Sequence, residues 1–546
     1  MPITASIFRS RPEGVKAILD DIEEQFQLGE EALKTITSQF LADFNLGLSE
    51  YGQAMAMIPT FVTGVPDGTE TGTFLALDLG GTNLRVCQVE LNGDKTFTLK
   101  QQKYKVSEQL KTGEATTLFE YMADSVDALL TENSASSPTQ AHAPSGPSDD
   151  PPALPLGLTF SFPVEQTALD QGYLLTWTKG FAAKNAIGKD IVRLLQDAFD
   201  KKHLHVKCVA LVNDTVGALL SRAYTAGGCV CGSIFGTGTN GAYVEQVANI
   251  TKLGNNPAVA KGGEMIVNTE WGAFNNSRTT LPTTPFDNKL DRESINPRFQ
   301  AYEKFISGMY LGEVTRNILL SLIDAAPQPI LFSGKATAQI NKHYGLDTEM
   351  LSLVESAWEE ETHGATTNDL ILPEEERAMA NGTPVDKVFD NDASLLDFTK
   401  PISTSTLPAG TLHRLQRIRT VLVKQLGYAP EDVSLRDAAI VRWACSLVVG
   451  RAARLSACAV ATVASQMGFV NGLGSDAQCV KEGRIPVGVD GSLIQFYPRF
   501  EERMREALRD LIGEQAERQV EVGLAKDGSG VGAALCALIA TKQALP

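Results

Sequence analysis

The chain has 546 residues, 43% of them hydrophobic and 21% charged, so it holds more than one ordinary core and is globular, not disordered. Its formal net charge is -17 at pH 7 with no long Lys/Arg run, which argues against a nucleic-acid binder with a basic face. In so acidic a molecule, an anionic ligand needs a local positive or amide-lined site.

The opening stretch, MPITASIFRSRPEGVKAILDDIEEQF, has no apolar run of the secretory type. Residues 12–60 carry helical apolar spacing, as at Val15, Ile18, Leu19 and Ile22. A Gly/Pro/Thr stretch ends near Gly72. TFLALDLGGTNLRVCQVEL then reads as a strand, a glycine-rich turn and a second strand. Residues 134–153, SASSPTQAHAPSGPSDDPPA, cannot offset the entropy of ordering and are expected to be a disordered surface insertion. A polar stretch at about 361–410 reads as a long irregular insertion with short helical pieces. Helices are expected at 411–427, 433–468 and 497–518, and DGSGVGAALCALIA closes the chain as a glycine turn feeding an apolar helix. The apolar stretch 443–470 is broken by Arg451 and Arg454, so no membrane span is expected.

Strands and helices alternate through both halves, which argues for α/β. LDLGGTNLRVCQVE in the first half echoes SIFGTGTNGAYVEQ in the second. Two related halves facing a central cleft would account for it. The eight cysteines (87, 208, 229, 231, 445, 458, 479 and 536) read as reduced core residues, and Cys229/Cys231 lacks the second ligand pair of a zinc site.

Three glycine turns can bring backbone amides close to a phosphate: Gly80-Gly81-Thr82-Asn83, Gly236-Thr237-Gly238-Thr239 and Gly528-Ser529-Gly530. Each can equally be a simple turn. GTGTNG matches G-x-G-x-x-G, but AYVEQV after it alternates like a strand where a dinucleotide site requires a helix. No P-loop motif and no protein-kinase motif set occurs. The third turn differs, because glycine there opens a helix whose N-terminus suits a phosphate.

Several polar residues punctuate apolar runs: Ser161, Thr178 and Lys179 between Leu156 and Phe181, Asn213 and Asp214 in VALVNDTVGALL, Glu270 in VNTEWGAF and Glu303 in AYEKFISGMYLGE. Asp214 follows a buried strand and precedes a helix. It reads either as a helix cap or as a site residue at the C-terminal edge of an α/β sheet. A ligand rich in hydroxyls needs such Asp, Glu, Asn and Lys groups gathered in one cleft.

Taken in order, LDLGGTN, LGLTFSFP, WTKGF, LVNDTVG, GTGTNGAY, NTEWGAF, EKFISGMYLGE and DGSGVGAAL resemble the motif set of eukaryotic hexokinases, from about residue 12 to 540. WTKGFAAKNAIGKDIVRLLQDAF and VNDTVGALLSRAYTAGG look most like the fungal glucokinases of that family. The resemblance implies an α/β, two-lobed actin-like ATPase (ribonuclease H-like) fold with a central active-site cleft. Residues 1–71 would be an N-terminal helical segment on the large lobe, 72–212 the small lobe and 213–546 the large lobe.

It also implies ATP-dependent phosphorylation of glucose, and of hexoses such as mannose, at the 6-hydroxyl, the first step of glycolysis. Carried over by motif, the sugar site is Ser161, Thr178, Lys179, Asn213, Asp214, Asn240, Glu270 and Glu303. Asp214 would be the base and Lys179 would touch the transferring phosphoryl. The ATP side is Asp78, Gly80, Gly81, Thr82, Asn83, Arg85, Lys103, Thr237, Asp490, Ser492, Gly528, Ser529 and Gly530. Mg2+ would bridge the phosphates, with Asp78 reaching it through water and no direct protein ligand. The expected partners are glucose and ATP, without nucleic acid or a membrane span, in a cytoplasmic monomer or weak homodimer. A sugar sensor with little or no catalysis is the alternative, and it would be expected to lose Asp214, Lys179 or a phosphate-loop glycine, all retained here. LAKDGSG departs from the family in Lys526, where many members are acidic, with a small expected effect on nucleotide affinity. Both insertions are expected to be neutral surface additions.

Overall fold

A computed structural model of the chain describes residues 14–80, 83–136, 153–177, 180–359, 398–402 and 407–543. Most of both expected insertions lies outside these residues, as do Gly81, Thr82, Thr178 and Lys179.

Two sheets organise the molecule, and they share one topology. The first has five strands in the order Phe97–Lys105, Asn83–Asn92, Thr71–Leu79, Leu154–Phe160, Val206–Val212. Its first three strands are antiparallel neighbours and its last three run parallel. The second runs Glu264–Asn268, Thr239–Gln246, Cys231–Phe235, Ile485–Asp490, Val520–Leu524, with Ile58–Pro59 added at the edge. Here too the first three are antiparallel and the last three parallel. The echo noted between the two halves is therefore the same leading hairpin used twice. The central strand of the first sheet is buried from Phe74 to Leu79 without alternation, because both of its faces are covered.

Each sheet hands its last helix to the other. Asp214–Ala226 follows the final strand of the first sheet and packs on the second. Gly528–Gln543 follows the final strand of the second sheet and packs on the first. The two helices cross at glycines. A Cβ on Gly217 would lie 2.3 Å from the Gly528 carbonyl oxygen, and one on Gly532 would lie 2.1 Å from the Gly217 Cα. Only glycine permits this approach.

The N-terminal periodicity resolves into two helices, Val15–Phe26 and Glu30–Ser49, both against the long helix Leu435–Gln466. That helix is long and apolar enough to cross a membrane, yet 83% of its apolar window is buried inside the protein. The other expected helices appear as Ala409–Leu426 and Phe500–Glu517. All eight cysteines are free thiols, and seven are buried.

Candidate active site

The C-terminal edge of the first sheet supplies the first group of residues. Lys103, Arg85, Asp78, Thr159 and Val212 are successive cross-strand partners, so they form one row across five strands. Ser161 and Asn213 lie just past the ends of two adjacent parallel strands, at the edge where α/β sites form. The helix begins at Asp214, but Asn213 is its cap. Asn213 Oδ1 accepts from the Thr215 backbone N–H at 2.9 Å and from its hydroxyl at 2.6 Å. The cap reading of Asp214 therefore passes to its neighbour. Asp214 is half-buried in the first turn, and its Oδ1 accepts from the Thr215 N–H at 2.9 Å.

The second sheet supplies Asn240, on the strand paired with Glu264–Asn268. Asn240 Nδ2 donates to Asn268 Oδ1 at 2.8 Å, and Asn268 Nδ2 donates to Glu270 Oε1 at 2.8 Å. Asn268 is buried and ties two expected sugar residues together. It was not among the expected site residues, although it stands inside the NTEWGAF motif. Glu270 holds φ 56 and ψ 40, a left-handed conformation unusual for a side-chain-bearing residue. Trp271 after it is fully buried, and its Nε1 donates to Thr239 Oγ1 at 3.0 Å. Glu303 reaches the second glycine turn, where its Oε2 accepts from the Thr239 N–H at 3.0 Å.

The residues expected on the phosphate side join through Arg85. Its Nε and Nη2 both donate to Asp78 Oδ2, at 2.9 and 2.6 Å, and its Nη1 donates to Asp527 Oδ1 at 3.3 Å. Nη2 also donates to the Ser529 hydroxyl. Thr159 Oγ1 donates to the Ser529 carbonyl at 2.7 Å. One guanidinium thus binds the first sheet to the N-terminus of helix Gly528–Gln543. Burial works against its charge, but Asp78 and Asp527 outweigh that and raise its pKa. Cys87 beside this group is pushed up to about 12 by burial, so it stays a thiol. Asp527 and Thr159 are further residues of this network, recognisable in sequence only through their places in DGSGVGAAL and LGLTFSFP.

The glycine turns take two forms. Gly80, whose N–H donates to the Asn83 carbonyl at 3.0 Å, and Gly236–Thr239 close the leading hairpins of the two sheets. Gly528-Ser529-Gly530 opens a helix, as expected. Thr237 is exposed on its turn, and its carbonyl accepts from the Met309 N–H at 3.1 Å. Gly491 packs against that turn, and a Cβ on it would lie 2.4 Å from the Phe235 carbonyl carbon. Asp490 accepts from the Gly491 N–H and from Gln495 Nε2, both at 2.7 Å, and so orients the short helix Ser492–Phe496. Lys103 is exposed at the rim.

Comparison with known proteins identifies relatives along nearly the whole chain. Two family models, each described as hexokinase, match residues 18–224 and 230–381 with 378–539. Glucokinase of Aspergillus niger is 36% identical over 550 residues, covering 96% of this chain and 98% of its own. Glucokinase-1 of Saccharomyces cerevisiae is 34% identical, covering 98% and 99%. Among solved structures, a hexokinase from Schistosoma mansoni complexed with glucose is 33% identical, with a TM-score of 0.71 over 96% of this chain and 98% of that one. The doubled sheet topology is accordingly the two-lobed, actin-like ATPase fold.

Proposed function

The chain belongs to the hexokinase family, and from that premise we propose that it transfers the γ-phosphoryl group of ATP to the 6-hydroxyl of glucose. The products are glucose 6-phosphate and ADP. The observation that carries this reading is Asp214, half-buried past the C-terminal edge of a buried strand, with Asn213 taking the cap.

Asp214 accepts the proton of the 6-hydroxyl as that oxygen attacks the γ-phosphorus. The new O–P bond forms as the bond to the β-bridging oxygen breaks, and ADP leaves with the electron pair. General-base help of this kind contributes about 10²–10⁴-fold. Positioning and charge stabilisation supply most of the rest, since phosphoryl transfer asks little covalent work of the protein. Ser161, Thr178, Asn213, Asn240, Glu270 and Glu303 hold the other sugar hydroxyls. Lys179 contacts the transferring phosphoryl, a role that rests on the WTKGF motif alone. The three glycine turns border the phosphates, and the helix beginning at Gly528 adds its positive end. Asp490, Ser492 and Lys103 border the nucleotide.

Mg2+ accompanies ATP. Asp78 suits it, because both Arg85 bonds go to Oδ2 and Oδ1 takes no hydrogen bond among the described residues, leaving a hard oxygen for a metal-bound water. The expected assembly is a monomer or weak homodimer. The eight thiols support a reducing compartment, and we assign the cytoplasm. We also take residues 72–212 as the small lobe, with the helix Gly528–Gln543 added to it because it packs on the first sheet, and we take 213–527 as the large lobe, with the helices of 14–71 packed on the latter.

A coupled assay of the purified chain with ATP, Mg2+ and millimolar glucose tests the reading. Glucose-dependent ADP release is expected, and its absence would refute it. Comparing kcat/KM for glucose, mannose and fructose fixes the preference, for which glucose is expected to lead.

A further inference from the structure

The helix Glu30–Ser49 lies outside both sheets, yet its buried face meets the back of three sugar-binding segments. Phe40 and Phe44 are both fully buried. Phe40 stacks on Phe274, with ring centroids 3.8 Å apart and planes 18° from parallel. It also meets Tyr302 edge-on at 5.0 Å and 81°. Phe274 follows the Glu270 turn, and Tyr302 immediately precedes Glu303. Phe274 and Tyr302 touch one another at 82°, so three rings close on each other. Phe44 stacks at 5.5 Å on Tyr243, three residues after Asn240.

The two carboxylate segments are short and irregular. Glu270 sits in a left-handed conformation before the single turn Trp271–Ala273. Glu303 is the third residue of the short helix Ala301–Ile306, entered through Gln300, also left-handed at φ 53. Neither segment has the ladder of a strand or the length of a helix to fix it. One backbone bond, from the Tyr302 N–H to the Phe274 carbonyl at 3.2 Å, joins them. Phe40 lies across that seam, and the Tyr302 hydroxyl is tied behind it to the Leu455 carbonyl at 2.6 Å. Left-handed residues persist only where their surroundings over-determine them. Here the surroundings include a helix from the far N-terminal end of the chain.

We propose that Phe40 is a positioning residue for sugar binding, setting the distance between Glu270 and Glu303 through Phe274 and Tyr302. This rests on the assignment of those two carboxylates to the sugar. Removing the ring lets the seam relax, so the carboxylates lose their spacing while the phosphate network around Arg85, built on the first sheet, is untouched.

The test uses the full chain with Phe40→Ala and the milder Phe40→Leu. Phe199→Ala serves as control, removing an equally buried ring from the helix Ile191–Lys201 beside the other sheet. The glucose KM and the calorimetric glucose Kd should rise by about tenfold or more in Phe40→Ala and less in Phe40→Leu, with the ATP KM within about twofold of wild type. Phe199→Ala should lower the melting temperature without moving either glucose value. If Phe40→Ala does not fold, Phe40→Leu carries the test. Unchanged glucose constants in the folded variant, or equal losses for glucose and ATP, would overturn the proposal. A wild-type chain that binds glucose without turnover would refute the kinase reading, while the Kd series would still decide this one. A wild-type chain that binds no glucose would overturn both.

Discussion

Gly241→Ala puts a single methyl group where the Trp271 ring leaves no room for it. The added Cβ would fall 2.1, 2.4 and 2.6 Å from Cζ3, Cη2 and Cε3 of Trp271. Carbon atoms pack best at about 3.5–4.0 Å, so ring or strand must yield by about 1 Å or more. Trp271 cannot swing clear. It is fully buried, bonded through Nε1 to Thr239, and stacked at 6.1 Å on Phe235. Overpacking of this kind costs about 1–3 kcal/mol in stability. The displacement passes to Glu270, one residue before Trp271, and to Asn240, one residue before the new methyl group. Misplacement by about 1 Å can cost 10²-fold, so the glucose KM should rise by about 10–100-fold with the ATP KM little changed. Steady-state kinetics with each substrate varied in turn, together with a denaturant midpoint, check this. A variant with a lowered midpoint but wild-type kinetic constants for glucose would refute the link between Trp271 and the site.

Three further outcomes follow from particular contacts. Arg85→Lys keeps a charge but loses the paired bonds to Asp78 and the reach to Asp527 and Ser529, so the ATP KM should rise by about tenfold while the glucose Kd holds. Arg451→Met strands the buried carboxylate of Asp287, which receives Nη1 at 2.8 Å and Nη2 at 2.6 Å, and should cost about 3–5 kcal/mol in denaturant unfolding. His413 is buried, and burial together with Arg417 depresses its pKa below the ordinary 6.5. The unfolded chain then binds the proton first, so the stability His413 contributes is full above pH 6.5 and is lost as pH falls through the depressed value. Melting temperatures from pH 8 to pH 5 should fall less steeply in His413→Leu than in wild type, and equal slopes would contradict the assignment.

Much of the fold was legible because its signals are local. Apolar runs ended by glycine turns marked both leading hairpins, and the repeat between the halves proved to be one topology used twice. The helices at 411–427, 433–468 and 497–518 were legible to within a few residues, with Gly427 closing the first and the Ser434 capping box opening the second. The exchange of final helices between the sheets was not, because it depends on glycines far apart in sequence meeting at the Gly217–Gly532 crossing. The site divides the same way. The resemblance to the hexokinase motifs picked out Asn240, Glu270 and Glu303 but missed Asn268, whose role exists only once two strands pair. Asp214 was ambiguous in sequence for a physical reason: Asn and Asp are both good caps, and only the hydrogen bonds show that Asn213 takes the role. Phe40 carried no signal beyond helical periodicity, because its partners lie more than two hundred residues away.

The central claim is that Asp214 takes the sugar's proton, and Asp214→Ala tests it most directly. Glucose binding by calorimetry and turnover in the coupled assay are measured on the same preparation. The account predicts a measurable glucose Kd with kcat reduced by about 10²–10⁴-fold. A variant that retains the wild-type kcat would contradict it.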